Sequence, residues 1–417
     1  MYSWFLAVVP ILHLYRGPVD FVSLAEVGLA GFALFGIASG GFTLGGRGRM
    51  QWLPVWFGGA LLCLSSVGGI FTEGSVAGLE IANRSLRVVF WIVTVSFTSF
   101  CWLDVRSLYR SMRFVWVLAF AYLCLQLVSW VGARIVLPSV WDQGVFPPAQ
   151  ASYADLDALA IHYEHFFIRP ASFFGEPAYY AYYSLIVLVV AIFSPWHPSG
   201  TRKWLFALVV SAGVIACTST TGIYMMLMVW LYWLLTVGIS RLRSGVRLES
   251  ALLFLCVLLA GLVYGIASGS MARLLEVLGA VVGKPFEIGD TSNRLGGSYG
   301  LFAELDGVSW WFGVGLGNEL VYLQMEPQFL NDVTLILLGT GVLGAVVFGA
   351  FATSLVFGLD GYRRVLAIVF VLVCFVEQHL FSSFSYLVLG YCLVGASSAL
   401  PQTLVFISDP PALDSAR

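Results

Sequence analysis

Residues 168–194 read IRPASFFGEPAYYAYYSLIVLVVAIFS, and the change of character along this stretch decides the fold class. Pro170 and the Gly175-Glu176-Pro177 turn interrupt any continuous helix. Proline lacks the N–H of the helical ladder and disfavours helical backbone before it. Pro177 suits the first turn of a new helix, where the missing N–H costs nothing. From there to Phe193 the chain is apolar, opening with Tyr179, Tyr180, Tyr182 and Tyr183. Tyrosines at the head of an apolar helix form the aromatic belt of a membrane interface. Glu176 falls at that helix's N-terminus, where the helix dipole favours a carboxylate.

The same apolar signature recurs from end to end. The 417 residues are 59% hydrophobic and only 11% charged, with a mean hydropathy of +0.89, whereas about a quarter of an ordinary globular chain is charged. The runs approach the ~20 residues that cross a bilayer core. Lipid satisfies no backbone polar group, so the runs must be helices. Spans are expected near 2–14, 21–44, 52–72, 87–104, 114–137, 172–194, 204–217, 222–240, 250–268, 328–357, 365–381 and 385–401. The chain thus reads as one integral membrane domain over 1–417, an all-α polytopic protein with about 12 transmembrane helices. The first span is short and the seventh marginal, so either can tilt or sit partly embedded.

Two connections are long, 138–171 and 269–327; within the second, MARLLEVLGAVV (271–282) has the pattern of an amphipathic surface helix. Loops of this length carry function more often than mere connection. The N-terminal MYSWFLAVVPILHLYRG has no basic leader or small-residue cleavage site and is read as retained. Seven cysteines lie scattered in apolar runs without a CxxC pair, as small apolar fillers. A net charge of −2 argues against nucleic-acid binding.

Basic residues set the orientation. Alternate short loops carry twelve of them: Arg47 and Arg49; Arg106, Arg110 and Arg113; Arg202 and Lys203; Arg241, Arg243 and Arg247; Arg363 and Arg364. The other, much longer set of loops holds Arg16, Arg84, Arg169, Arg273, Lys284 and Arg294. The positive-inside rule then puts both termini in the cytoplasm and both long loops outside. Ionisable groups at span ends gather on that outer side: Glu26, Glu73, Glu176, Glu377 and His379. Charge in a membrane is expensive and marks a cavity or pathway, so the working surface is expected to face outward.

An arginine at a membrane surface meets phosphate, and a nearby carboxylate can move a proton. Arg169 with Glu176 therefore points to chemistry on a lipid-linked phosphate; the plainer alternative is a helix cap, a tyrosine girdle and a snorkelling arginine. On the same loop, His162, Glu164 and His165 supply imidazoles suited to acid–base work, in a spacing that matches no zinc pattern. Asp155-Leu156-Asp157 reads as a polar loop. In the second loop, TSNRLGGSYGLFAELDGVSWWFGVGLGNEL (291–320) carries Arg294 and a glycine-rich, tryptophan-containing end. Thr218-Ser219-Thr220-Thr221-Gly222 forms an outer turn whose hydroxyls satisfy helix ends or contact sugar. Glu377-Gln378-His379 interrupts an apolar run and needs a reason. The absence of a P-loop, a G-x-S-x-G, a G-x-G-x-x-G after a strand, an HExxH and a convincing internal repeat disfavours hydrolases, ATP-driven pumps and inverted-repeat carriers.

Three of these segments together resemble the bacterial O-antigen and exopolysaccharide polymerases (Wzy-type) and the related O-antigen ligases. They are RPASFFGEPAYY from Arg169, STTG from Ser219, and Ser292-Asn293-Arg294 through FGVGLGN ending at Asn318, with the helix near Asn331 as a continuation. The resemblance implies a metal-independent, cofactor-free glycosyltransferase of the GT-C type with its active site on the periplasmic side of the inner membrane. Its substrates would be undecaprenyl-diphosphate-linked glycans, and a separate chain-length co-polymerase is an implied partner. It implies Arg169 and Arg294, with Tyr179 and Tyr180, on the diphosphate. Glu176 would be the base or the group orienting Arg169, with His162, His165 and His379 as further candidates for the base. Some polymerases carry an arginine and a glycine eleven positions apart in both outer loops; here those positions hold Tyr180 and Leu305. Ligases present a histidine in the second large loop, and 269–327 contains none, which favours polymerase over ligase. A transporter or flippase, and an inactive membrane scaffold, are the alternatives from other classes.

Overall fold

The computed structural model describes residues 1–17, 22–39, 49–72, 78–100, 103–140, 147–148, 170–196, 200–238, 301–322 and 330–394. Among these the structure is all-helical, with no strand and only isolated bridges. In chain order the helices are α1 Tyr2–Leu12, α2 Leu24–Ala38, α3 Leu53–Phe71, α4 Gly78–Phe100, α5 Val105–Ala133, α6 Pro177–Phe193, α7 Thr201–Ala216 and α8 Thr220–Trp233. Then come the short α9 Gly307–Phe312 and α10 Glu319–Tyr322, followed by α11 Asp332–Gly358, α12 Gly361–Cys374 and α13 Ser383–Leu393. The span expected at 250–268 and the surface helix expected at 271–282 lie outside the described residues.

Three helical stretches, Met50–Phe71, Val105–Ala133 and Asp332–Gly358, are long and apolar enough to cross a membrane. Several shorter helices are equally apolar. Large apolar side chains such as Phe114, Leu125, Val128 and Val131 on α5, or Leu227 and Leu231 on α8, are exposed, which a water-soluble surface would not tolerate in such numbers. Two helices have no such face: α6 is buried continuously from Tyr180 to Ile192, and α13 along its whole length. A helix enclosed on every side need not itself match the bilayer, which fits their 17 and 11 residues.

Helix starts follow local chemistry. Ser23 and Glu26 form a reciprocal capping box on α2, the arrangement that satisfies two orphan N–H groups at once. Asp104, Ser219, Asn331 and Ser382 cap α5, α8, α11 and α13 through their side chains. Buried indole N–H groups cross-link the bundle: Trp91 donates to Ser385 Oγ at 2.8 Å and Trp116 to Ser184 Oγ at 3.0 Å. Two helices begin nine residues earlier than the hydrophobic pattern predicts. α4 starts at Gly78, bringing Glu80 and Arg84 into the helix, and α5 starts at Val105, so Arg106, Arg110 and Arg113 ride on its first turns.

The helix α11 is broken. Gly341 takes φ 67° and ψ −166°, a region essentially reserved for glycine. The carbonyls of Leu338 and Gly339 are thereby turned out of the helix ladder. They accept from Val314 N–H and Gly315 N–H, both at 3.0 Å. Val314 and Gly315 belong to an extended segment after α9 that lies between α3 and α11, with Leu316 N–H donating to Ser65 Oγ at 2.8 Å. Glycines let the backbones meet: a Cβ on Gly313 would stand 2.3 Å from the Gly339 carbonyl carbon, and one on Gly68 2.6 Å from the Phe312 carbonyl oxygen.

Candidate functional site

Helix α6 positions the first group. Its N-cap is Glu176, whose carbonyl accepts from Tyr179 N–H at 3.1 Å and Tyr180 N–H at 3.3 Å, while the side chain is exposed and forms no cap bond. The turn before it is pinned to α5. Ser172, at φ 54°, donates its N–H to Gln126 Oε1 at 2.9 Å and its hydroxyl to Ala119 O at 2.7 Å. Arg169 lies just outside the described residues, as do His162, His165 and Arg294.

The two tyrosines after Glu176 diverge. Tyr179 faces the turn 375–382, with its ring 5.4 Å from those of His379 and Phe384. Tyr180 points the other way and is fully buried, edge-on to Phe174 and against Gly213 of α7.

The turn 375–382 between α12 and α13 is where the described polar groups converge. Its backbone is held by Asp332, the first residue of α11, whose Oδ2 accepts from both His379 N–H and Leu380 N–H at 2.7 Å. In return Asp332 N–H donates to Glu377 O at 3.3 Å. Thr221 in the first turn of α8 donates to Glu377 Oε1 at 3.4 Å, so the hydroxyl-rich turn meets the Glu-Gln-His segment. The His379 ring is buried, perpendicular to Tyr182 at 4.5 Å. Its Nδ1 lies 3.5 Å from Ser382 Oγ, while its Nε2 and the Tyr182 hydroxyl have no hydrogen-bond partner among the described residues. Buried polar atoms are seldom left in that condition, so this pocket of the bundle has unspent hydrogen-bonding capacity.

On the far side of the turn, Phe381 packs edge-on against Trp91 of α4 at 5.6 Å. Here a second carboxylate appears that the sequence reading passed over. Glu319 is buried beside the extended segment, and both its oxygens accept from Gly317 N–H, at 3.0 and 2.9 Å. Burial raises its carboxyl above the ordinary range, against the lowering pull of the Gly317 amide and of Arg84. Asp332 was likewise missed, because Asn331-Asp332 ahead of an apolar run looks like an ordinary helix start. The readable signal for Glu319 was its place at the end of FGVGLGN, where glycines imply close backbone contact.

The arrangement thus joins the α6 N-terminus, the first turn of α8, the turn 375–382 and the start of α11 at one end of the bundle. The basic turns Arg202-Lys203 and Arg363-Arg364 adjoin the opposite helix ends. Carboxylate, imidazole and hydroxyl groups in that assembly can accept, hold and pass a proton. No group of three metal-ligating side chains occurs among the described residues. No family model matches the chain, and no curated protein matches it.

Proposed function

We propose that this chain is a glycosyltransferase that joins undecaprenyl-diphosphate-linked oligosaccharide repeat units into O-antigen or exopolysaccharide chains at the periplasmic face of the bacterial inner membrane. The reading takes about 12 spans, both termini in the cytoplasm and the loops 138–171 and 269–327 outside. The observation that carries it is the meeting of Glu176, Tyr179, Thr221, Glu377 and His379 at the helix ends remote from the basic turns. Glu176 and Tyr179 directly follow Arg169 in the sequence, and Thr221 and the Glu377–His379 pair come from two other turns.

In the proposed reaction a hydroxyl of the acceptor sugar attacks the anomeric carbon of the donor glycan. The bond from that carbon to the diphosphate oxygen breaks, undecaprenyl diphosphate leaves with the electron pair, and the hydroxyl proton passes to a base. Arg169 and Arg294 neutralise the leaving diphosphate with forked, charge-assisted hydrogen bonds. Glu176, exposed at the α6 N-terminus, takes the proton or orients Arg169, a contribution of roughly 10²–10⁴-fold for general base catalysis. Tyr179 offers an aromatic edge to the substrate. His379 and His165 are the other candidates for the proton.

A carrier would use a broken helix to present backbone carbonyls to its cargo. In α11 the turned-out carbonyls of Leu338 and Gly339 are already taken by Val314 and Gly315, which weighs against that reading.

The test is deletion of the gene in the strain that carries it, followed by gel analysis of surface glycan. Loss of long chains with retention of a single capped repeat unit is expected, and complementation with Arg169→Ala or Arg294→Ala leaves polymer reduced by on the order of 10²–10³ in rate. An unchanged glycan ladder after deletion rejects the proposal. Long chains that accumulate on the lipid carrier indicate a ligase instead.

A further inference from the structure

The facing ends of α1 and α2 carry titratable groups that the proposed reaction leaves idle. His13 is the C-cap of α1, and Ser23 with Glu26 forms the capping box of α2. A capping box needs two bonds, from the N3 amide to the serine and from the N-cap amide back to the carboxylate. Both are present: Glu26 N–H donates to Ser23 Oγ at 3.3 Å, and Ser23 N–H to Glu26 Oε2 at 2.7 Å. Two further bonds play no part in capping. Ser23 Oγ donates to Glu26 Oε2 at 3.0 Å, and His13 Nδ1 lies 3.2 Å from Ser23 Oγ.

These extra bonds set a direction. The single hydroxyl proton of Ser23 is committed to the carboxylate, so His13 Nδ1 is the donor to Ser23 and Nε2 is the accepting atom of the neutral ring. The carboxylate therefore sits on the serine and not on the imidazole, which is the reverse of a nucleophilic triad. The order His13, Ser23, Glu26 is instead that of a proton wire, with histidine at its head. Backbone bonds hold it in place: Leu24 N–H donates to Tyr15 O at 3.0 Å, Gly17 N–H to Val22 O at 2.8 Å, and Arg16 N–H to Pro147 O of the first long loop at 2.9 Å.

The head of the wire adjoins the turn 375–382. α1 packs against α13, and His13 lies within electrostatic range of His379. Tyr179 touches both places, packing with Leu14 and Tyr15 while its ring stands 5.4 Å from that of His379. His379 is buried against Tyr182, with Nε2 unpartnered among the described residues. His13 and Glu26 are half-buried, so the run leads from a buried imidazole to a carboxylate that water reaches. Arg87 of α4 and Tyr386 of α13 are the other ionisable groups facing it, Arg87 within range of His13 and both within range of each other.

We infer that His13, Ser23 and Glu26 form a relay that carries outward the proton accepted by His379 Nε2. His379 passes the proton through water to His13 Nε2, and His13 releases its Nδ1 proton to Ser23. Ser23 hands its own proton to Glu26, and the carboxylic acid gives it up to solvent. The source of the proton rests on the polymerase reading; the order of the hydrogen bonds does not. The full chain in nanodiscs is given lipid-linked repeat units, and elongation is followed across pH. Glu26→Gln is the deciding variant, because glutamine keeps the capping box but cannot take the proton. Its kcat is expected to fall on the order of ten- to a hundredfold with KM unchanged, below the roughly 10²–10⁴ due to the group that takes the proton itself. His13→Gly falls alike, and added imidazole restores part of its rate. A well-folded Glu26→Gln protein that elongates at the wild-type rate overturns the relay. Failure of the polymerase reading shows separately, as wild type that binds the repeat units without elongating them. Nitrogen-15 NMR of the histidines then tests the wire by itself: His13 protonated at Nδ1 is expected, and neutral His13 protonated at Nε2 overturns it.

Discussion

Replacing Gly341 with alanine tests whether the break in α11 is a built joint. The residue sits at φ 67° and ψ −166°, and a Cβ there would stand 2.3 Å from both the carbonyl carbon and oxygen of Trp311 and 2.6 Å from Gly313 N. These are backbone atoms and cannot swing aside as a side-chain tip would. A non-glycine residue in this region costs about 1–3 kcal/mol. Relief of the clash pushes the extended segment off α11 and opens the bonds from Val314 to Leu338 and Gly315 to Gly339, each unsatisfied buried group costing about 1–3 kcal/mol. The loss is therefore about 3–9 kcal/mol. The same helix provides the control: a Cβ on Gly349 meets nothing within 4 Å, so Gly349→Ala gains about 0.5–1 kcal/mol from helix propensity. Thermal unfolding of both variants in one detergent, followed by tryptophan fluorescence and by the monodisperse peak on size exclusion, gives the comparison. Equal melting temperatures for the two, or a Gly341→Ala protein as stable as wild type, would refute the reasoning.

Other outcomes are equally direct. Asp332→Ala strands two backbone donors, His379 N–H and Leu380 N–H, and is expected to lower stability by about 2–4 kcal/mol; Asp332→Asn, which keeps an acceptor, loses less in the same melt. Burial raises the Glu319 carboxyl above the ordinary glutamate value of 4.5 in the folded protein, so its neutral form is favoured by folding. Its contribution is complete below that value and is lost as pH rises through the folded pKa. The difference in melting temperature between wild type and Glu319→Gln should therefore change across that interval and be flat below it; a constant difference rejects the assignment. Tyr180→Phe removes a buried hydroxyl with no hydrogen-bond partner among the described residues and should leave stability within about 1 kcal/mol. A fall in polymer length in a Tyr180→Phe strain, with expression unchanged, would show that the hydroxyl has work beyond packing.

Much of the helical framework was legible because the hydrophobic runs and the caps carry it. Pro177 starts α6 where the proline rule puts it, whereas Glu26, read from the sequence as an ionisable group of the outer surface, forms a capping box with Ser23. The start of α4 was not legible: residues 78–86 contain Glu80 and Arg84, and a hydropathy pattern stops where a helix turns amphipathic. The break at Gly341 was invisible for a different reason. Glycine in an apolar helix is common, and only the pairing of its freed carbonyls with a distant segment reveals an interruption. Glu377 and His379 stood out as polar residues in an apolar run, and their partner Asp332 did not, since a helix-start aspartate needs no further explanation. Tyr179 and Tyr180 look alike in the sequence, yet consecutive helix positions point about 100° apart, and that angle separates a ring beside His379 from one in the core.

The interrupted helix also has a consequence for how the chain is assembled. The two bonds that fill the break join residues only 24 positions apart in the sequence, so extended segment and half-helix can find each other as neighbours soon after synthesis. The bonds that seat this unit on α3, from Leu316 to Ser65 and from Thr72 to Val314, span 251 and 242 positions. Contacts of such separation carry the larger loop-closure cost. Loop closure therefore favours the local joint over its docking onto the N-terminal helices, and the small residues Gly68, Gly69 and Ser65 on α3 leave the surface on which that joint is seated.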